Sequence, residues 1–576
     1  MSDRFIDNRP AGPTRPQALL ILLVLTGFAA TARLIGLGHA TLWGDEALVF
    51  ARTQGTWADL WAWLRDDDFT PLHYVTVWLL GQETRLTPTV LRLPSAVLGT
   101  LIVPAAYWLG RELRDRRLGL ITAALAAGSA FLIFHGRDAK MYAPAWTFAT
   151  AFIAAGLAFA NRGGAGRWLA CVGLGLLMVG WHASTLAVLV IGVGAAMLPL
   201  RPRRLAAITL AAATVVAAWL AYVTLVQQGP PSAAPDWVAD YNAKRTALNR
   251  VGYLLSAWLT GWELPRPADV QRLAGPAASG LEVALFRGGL AASLVALPLI
   301  ALTWSRLRGE PSPPGAFDQP AAPARPKLRP YGWTLVIGWL LLGIAIGTVS
   351  LLGLGRDVWL PRYLGVSMPA LLVLTAMAFD RLPGKVAIIG VLVWATVNVV
   401  SVAARLTTPS EPPAGRYMSD VVAAMDDSSL VTILHARPQP VGEGPVGPGA
   451  PGTAYPGGFV SAYYGALHAG LDRGEDQLPA AAWTSPMAVN FRLLGQSRVW
   501  DDTTPKQLAD LAATRAANAN RLLVWSGHDD AGTDLILGRL RAEDTGWRRV
   551  DDETFEVREP WTYQQYQPMR RRVFER

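Results

Sequence analysis

Long apolar stretches recur along this chain, and they restrict its fold more than any other feature. A helix needs about 20 mainly apolar residues to cross the roughly 30 Å hydrocarbon layer of a bilayer. Candidate spans lie at 17–38, 93–110, 118–134, 143–160, 168–182, 184–199, 205–226, 286–305, 331–353, 363–380 and 385–404. Only 16% of the 576 residues are Asp, Glu, Lys or Arg, where soluble domains carry about a quarter. The expected fold class is a polytopic α-helical membrane protein of about 11 transmembrane helices, followed by a soluble α/β domain. The first stretch is too long for a removable signal peptide and lacks a small-residue cleavage site, so it is expected to stay as an anchor.

Charge separates the chain into two parts. The formal net charge is +9 and the sequence pI is about 9.8. The basic excess belongs to residues 1–405, whereas 406–576 is acidic. The basic residues form short clusters between apolar segments rather than one folded face, which excludes a nucleic-acid partner. Clusters at Arg111–Arg117, at Arg201–Arg204 and within 306–330 are expected on the cytoplasmic side, because short cytoplasmic loops collect Lys and Arg. A cytoplasmic N-terminus then places segments 39–92, 135–142, 227–285 and 354–362 outside, together with the tail. Pro71–Gly81 is apolar but too short to cross, and reads as a helix lying along the outer surface.

The division into domains follows: 1–405 is the membrane part and 406–576 an extracytoplasmic α/β domain. In the tail, Gly415–Met425, Pro505–Ala517 and Thr533–Leu540 read as helices. Leu430–His435, Arg521–Ser526 and a stretch near Thr554–Arg558 read as strands. Residues 436–458, crowded with Gly and Pro, read as a long loop. The single cysteine, Cys171, excludes an intramolecular disulfide and a cysteine-based metal site.

Four outer segments carry the candidate chemistry. The first is Trp43-Gly44-Asp45-Glu46-Ala47, where one of two adjacent carboxylates can act as general base on an acceptor hydroxyl; alternatively Asp45 caps a helix beginning at Glu46. The second is Asp66-Asp67-Asp68-Phe69-Thr70-Pro71-Leu72-His73-Tyr74. Its acids either position a substrate or a divalent cation, or are solvated and cap the following helix together with Thr70. The third is His135-Gly136-Arg137-Asp138-Ala139-Lys140-Met141-Tyr142, and the fourth is Arg356-Asp357-Val358-Trp359-Leu360-Pro361-Arg362-Tyr363. Cations at an outer membrane boundary run against the usual charge bias and pair with something negative. For the third cluster that partner is either a lipid phosphate or a structural carboxylate such as Asp138 or Asp45; for the fourth, the alternative to a bound phosphate is snorkelling of the cations to headgroups. Arg92 is a further cation on this side, and His182 reads as a packing residue.

These residues carry a resemblance. Trp43-Gly44-Asp45-Glu46 resembles the Asp-Glu motif of the GT-C glycosyltransferases. The nearest group is the dolichyl-phosphate-mannose–protein mannosyltransferase-like family, whose relatives include the lipid A aminoarabinose transferase. Thr70-Pro71-Leu72-His73-Tyr74 is similar to its Pro-Pro-Leu-Tyr-Tyr segment, and Arg92-Leu93-Pro94-Ser95-Ala96 matches its Arg-Leu-Pro-Ser-Ala. Arg137-Asp138-Ala139-Lys140-Met141-Tyr142 is similar to its Arg-Glu-Ala-Arg-Met-Tyr, and Pro361-Arg362-Tyr363 to its Pro-Arg-Tyr. The likeness covers roughly 17–405. It implies a GT-C membrane domain and an inverting transfer of a sugar from a polyprenyl-phosphate donor, on the extracytoplasmic face of a plasma (inner) membrane.

By the same resemblance, Asp45 would be the base, with Glu46 beside it. Arg137, Lys140, Arg362 and Arg92 would face the donor phosphate, with Tyr142 and Tyr363 in support. Asp68, His73 and Tyr74 would belong to a substrate loop. The acceptor would be a protein, lipid or glycan. No metal site and no certain cofactor are expected beyond the divalent cation considered above. Lys140 stands where the family has Arg, which keeps the charge but loses the bidentate fork. A transporter or flippase for a lipid-linked sugar is the alternative, and a membrane-anchored sensor is a third. Charges gathered at one face, with spans largely free of ionisable residues, favour the enzyme.

Overall fold

The computed structural model describes residues 13–38, 44–53, 56–66, 70–84, 86–189, 202–227, 247–261, 332–353, 358–381, 384–407, 430–434, 482–484, 520–526, 546–558 and 565–576. Among these, five helices are long and apolar enough to cross a membrane, or six if one bent pair counts as a span. The expected number of eleven rests on the sequence, since span 286–305 and most of 184–199 lie outside the described residues.

The first helix, α1 (Arg15–Leu34), opens with a Thr14–Gln17 capping box. Its Leu20, Leu23 and Val24 are exposed in the isolated chain, as a lipid-facing stripe must be. Three short helices fill the first outer segment: α2 (Gly44–Thr53), α3 (Trp57–Asp66) and α4 (Pro71–Glu83). Thr56 and Asp59 cap α3 reciprocally, the Thr56 amide donating to Asp59 Oδ2 at 2.8 Å. The α4 helix lies where the surface helix 71–81 is expected. Because α2 already begins at Gly44, Asp45 sits inside its first turn and not at an N-cap of a helix starting at Glu46. This corrects the capping alternative.

The next span is longer than its apolar core, running through α5 (Pro88–Thr100) and α6 (Ile102–Leu113). An Asp115 carboxylate caps α7 (Arg116–Gly128), accepting from the Leu118 amide at 2.8 Å. Helices α6 and α7 pack closely at glycines. A Cβ on Gly110 would stand 2.8 Å from Gly119 Cα, so nothing larger fits.

The stretch 118–134, expected as one span, is instead broken. After Ser129 the chain bends by 60° into α8 (Ala130–Gly136). A break inside an apolar bundle frees backbone groups that need partners. Ser129 Oγ accepts from the Leu132 amide, and Asn398 Oδ1 accepts from the Ala130 amide at 2.8 Å. The chain continues through α9 (Tyr142–Arg162), α10 (Ala165–Trp181), α11 (Pro202–Leu225) and α12 (Ala247–Thr260). Helix α12 falls in the expected outer segment 227–285, yet it buries Leu254, Trp258 and Leu259 in the main core. Last come α13 (Gly332–Gly353), α14 (Pro361–Leu364), α15 (Met368–Arg381) and α16 (Gly384–Thr407). Asn398, on α16, also donates through Nδ2 to the Leu259 carbonyl at 3.1 Å, so it ties α16 to both α8 and α12.

The two ends of the bundle differ in their ionic partners. At the end formed by α6, α7, α9 and α15, Asp380 pairs with Arg114 at 2.8 Å and Arg117 at 2.7 Å. There the buried Glu112 holds Arg162 at 2.6 Å and Arg111 at 2.9 Å. This is the end expected in the cytoplasm.

The C-terminal part contains a five-stranded mixed sheet in the order β2-β1-β3-β5-β4. The strands are β1 (Leu430–Leu434), β2 (Ala482–Thr484), β3 (Arg521–Ser526), β4 (Arg548–Arg558) and β5 (Gln565–Glu575). Strand β1 runs parallel to β2 and β3, while β5 is antiparallel to β3 and β4. The three expected strands are present, with β4 longer than expected, and β2 and β5 are additional. The expected helices 415–425, 505–517 and 533–540, and the loop 436–458, lie outside the described residues.

Replacing Asn398 by Ala removes partners from the Ala130 amide and the Leu259 carbonyl at once. Thermal unfolding in detergent is expected to show a loss of about 1–2 kcal/mol. Unchanged stability would mean the break at Ser129 does not depend on α16.

Candidate active site at the end of the bundle opposite Asp380

Segments far apart in sequence meet at the end of the bundle opposite Asp380. At its centre is Glu46, buried in the first turn of α2. Its carboxylate accepts from Arg92 Nε at 2.7 Å and Nη2 at 2.5 Å, and from the Ala139 amide at 2.9 Å. Arg92, buried on α5, spends its third nitrogen on the Leu37 carbonyl at 2.8 Å. Glu46 therefore joins α2, α5 and the 137–141 loop. The bidentate fork suits a charge kept from water, where an unpaired partner would be costly.

Arg137 has a different set of partners from those expected. Its Nη1 donates to the carbonyls of Ala32, Arg33 and Ile35, and its Nη2 to that of Gly36. It caps the C-terminal turn of α1, where carbonyls are otherwise unmet and a cation offsets the helix dipole. Burial, and then the charge of Arg92, push the Arg137 guanidinium below its ordinary value. Positive charge is thus crowded here.

Arg33, in the last turn of α1, adds to that charge. It is fully buried and donates from Nη1 to the Ala29 carbonyl at 3.0 Å, while its Nε and Nη2 have no hydrogen-bond partner among the described residues. Gly136 makes room for it: a Cβ there would stand 2.6 Å from Arg33 Nε. The sequence reading missed Arg33. An ionisable residue inside an apolar span was the signal that could have found it.

Lys140 is buried, and Ser95 donates to its carbonyl at 2.6 Å. Asp138 is buried with His135 Nδ1 3.9 Å away. His73, wholly buried on α4, reaches the same loop through Nε2, 3.1 Å from the Ala139 carbonyl. Tyr74, beside it, faces elsewhere: its hydroxyl accepts from Arg52 Nη1 at 3.0 Å. Thr70 donates to the Trp181 carbonyl at 2.7 Å, which fixes the start of α4 against the end of α10.

Aromatic rings frame the loop. Tyr142 lies 6.1 Å from Tyr363 and 5.3 Å from His182, centroid to centroid, and His73 lies 5.8 Å from Trp181. The Arg362 guanidinium stands 5.5 Å from the Tyr363 ring. His182 has the packing role expected of it, and its Nδ1 accepts from the Ser184 amide at 3.1 Å. Of the expected residues, Glu46, Arg92, Arg137, Lys140, Tyr142, Tyr363 and His73 are thus gathered around one loop and its flanks. Asp45 is placed by its backbone, on the residue before Glu46. Asp68, Arg356 and Asp357 lie outside the described residues, as does any cation site that Asp68 would share.

No protein-family model matches this chain, and no curated protein matches it. Solved structures similar to it are glycosyltransferases. They include the oligosaccharyltransferase AglB of Archaeoglobus fulgidus, solved with an inhibitory peptide and a dolichol-phosphate: 12% identical, covering 88% of this chain and 69% of that one, TM-score 0.43. Another is ArnT of Cupriavidus metallidurans bound to undecaprenyl phosphate: 12% identical, covering 95% and 97%, TM-score 0.44. A third is the arabinofuranosyltransferase AftD from Mycobacteria: 14% identical, covering 98% and 42%, TM-score 0.45.

Two measurements check this geometry. Glu46→Gln and Arg92→Met are each expected to cost about 3–5 kcal/mol, and the double variant much less than their sum, because a lone buried charge costs more than a missing pair. Additive losses would show that the pair is not coupled. The second concerns His73, whose ring burial and then the Lys140 charge push down to about 3, from 6.5. Between those values the unfolded chain binds a proton that the folded chain refuses. The stability contributed by neutral His73 is complete above pH 6.5 and is lost as pH falls toward 3, at about 1.4 kcal/mol per pH unit. Unfolding of His73→Gln is expected to be flatter between pH 4 and 6 than wild type; parallel curves would refute the assignment.

Proposed function

We propose that this chain is a membrane glycosyltransferase that moves a sugar from a polyprenyl-phosphate donor to an acceptor hydroxyl at the outer end of the bundle. The observation that carries this reading is the gathering of Arg33, Arg92, Arg137 and Lys140 around the 137–141 loop, against the buried carboxylates Glu46 and Asp138. Cations, three of them buried and Arg137 half-buried, thus outnumber carboxylates among the described residues of this loop, which favours a phosphate-bearing ligand, and the order of the Asp-Glu, Arg-Leu-Pro-Ser-Ala and Pro-Arg-Tyr motifs agrees with it.

In this reading the acceptor oxygen attacks the anomeric carbon from the face opposite the phosphate. Asp45 takes the hydroxyl proton. The phosphate leaves with the electron pair of the broken carbon–oxygen bond, and a single displacement inverts the configuration. Lys140 and Arg362 face the phosphate and stabilise the charge that builds on it, with Tyr142 and Tyr363 alongside. Because Glu46 and Arg137 are bound within the protein, they act as positioning residues. Glu46 holds the first turn of α2, and hence Asp45, against α5, while Arg137 holds the end of α1. The proposal keeps residues 1–405 as the catalytic domain in a plasma membrane, with a cytoplasmic N-terminus and the sheet-bearing part 406–576 outside.

The test is transfer by membranes given a mixed pool of polyprenyl-phosphate sugars. Wild type is expected to consume one of them, and Asp45→Asn to lose about 10²–10⁴-fold in rate while still binding undecaprenyl phosphate. Full activity in Asp45→Asn would remove it as the base. Movement of intact lipid-linked sugar across sealed vesicles, without transfer, would establish the transporter.

A further inference from the structure

His73 carries a buried polar atom that the arrangement above leaves unused. The Ala139 carbonyl beside Nε2 can only accept, so Nε2 bears the proton and donates. The neutral ring then has its lone pair at Nδ1, on the opposite side. Nδ1 is fully buried and has no hydrogen-bond partner among the described residues. The ring is held on three sides: by the Ala139 carbonyl, by the edge contact with Tyr74 at 5.4 Å, and by Trp181. It has little freedom to turn and satisfy itself.

The chemistry of Nδ1 narrows what can meet it. A lone pair repels a phosphate oxygen, so the phosphate itself is excluded. A partner must donate, as an O–H or N–H does. Lys140 directly follows Ala139, whose carbonyl the ring meets, and its positive charge acts on the ring. A second cation at this point would be repelled, so a protonated amine is disfavoured and a neutral hydroxyl is favoured. Lys140 is also the residue assigned to the donor phosphate. The group one step along the same substrate is the sugar.

We propose that His73 accepts a hydrogen bond at Nδ1 from a hydroxyl of the transferred sugar, and so selects a neutral hydroxylated sugar over one with a protonated amine at that position. This rests on the donor reading above. His73 is then a specificity-determining residue, and its fixed tautomer sets the direction of the selection.

Two substitutions separate this role from a structural one. In His73→Gln the side-chain amide can still donate to Ala139, but the acceptor at Nδ1 is gone. In His73→Asn the oxygen stands near Nδ1, and the bond to Ala139 is lost. The full chain in nanodiscs is given polyprenyl-phosphate mannose, glucose, galactose and arabinose, and then the monodeoxy and amino analogues of whichever sugar wild type consumes. His73→Gln is expected to lose about 10–100-fold in kcat/KM, with unfolding temperature and undecaprenyl-phosphate binding retained, and His73→Asn to keep most of the activity. One deoxy analogue and its amino counterpart should be poor substrates for wild type, and His73→Gln should no longer distinguish the deoxy analogue. If His73→Gln transfers like wild type, or wild type accepts every deoxy analogue equally, His73 is structural and only this inference falls. If wild type consumes no polyprenyl-phosphate sugar, the donor reading falls with it.

Discussion

The Glu46 carboxylate takes three hydrogen bonds in a place closed to solvent, two from the Arg92 fork and one from the Ala139 amide. A carboxylate so placed is costly unless each oxygen is met, so these three segments must arrive together or not at all. The ten-residue helix α2 buries Val49 and Phe50. Through Glu46 it acquires a fixed position relative to α5 and to the loop between α8 and α9. The placement of Asp45, Lys140 and His73 depends on that closure, since Glu46 takes the amide and His73 the carbonyl of the same residue, Ala139.

A second constraint is the apolar surround, in which every freed backbone group needs a partner. The carbonyls at the end of α1 are met by Arg137 and, at Leu37, by Arg92. The amides freed at Ser129 are met by Ser129 itself and by Asn398. Side chains that read as charged surface features in one dimension are thus spent on main chain. This is why Arg137 is better read as a fastener than as a ligand-binding arm, and why, under the proposed function, the donor phosphate is given to Lys140 and Arg362.

Much of this was legible in the sequence, for identifiable reasons. Apolar length marks a membrane helix, so α1, α9 and the α15 stretch stand close to their expected places. Motif order located the loop at 137–142 and the start of α14. What the sequence hid was pairing. Nothing in one dimension says that Arg92 turns to Glu46 rather than to a ligand, since both are favourable partners for a guanidinium. Helix α12 was hidden because its apolar residues are interspersed with Asn249 and Arg250 and are too few for a span, and its burial comes from α8 and α16. The bend at Ser129 was hidden because Ser in an apolar run looks like any small residue until Asn398 supplies the missing acceptor. Strand β5 was hidden by Arg570-Arg571-Arg572, whose charges are met by Asp551 and Asp552 across the ladder.

The bend at Ser129 is also the feature that bears on transport. Transporters place broken helices near the bilayer midplane so that freed main chain can bind cargo. Here the freed Ala130 amide is bound to Asn398, whose Nδ2 is bound in turn to α12 and to its own helix. The Ala130 amide is therefore met by a protein group and is not open to a passing solute. The buried cations Arg33, Arg92 and Lys140 lie instead around the 137–141 loop, at the end of the bundle opposite Asp380. A site built at one end, on helices locked to each other by bidentate and capping arginines, suits a reaction carried out in place more than a cargo handed across.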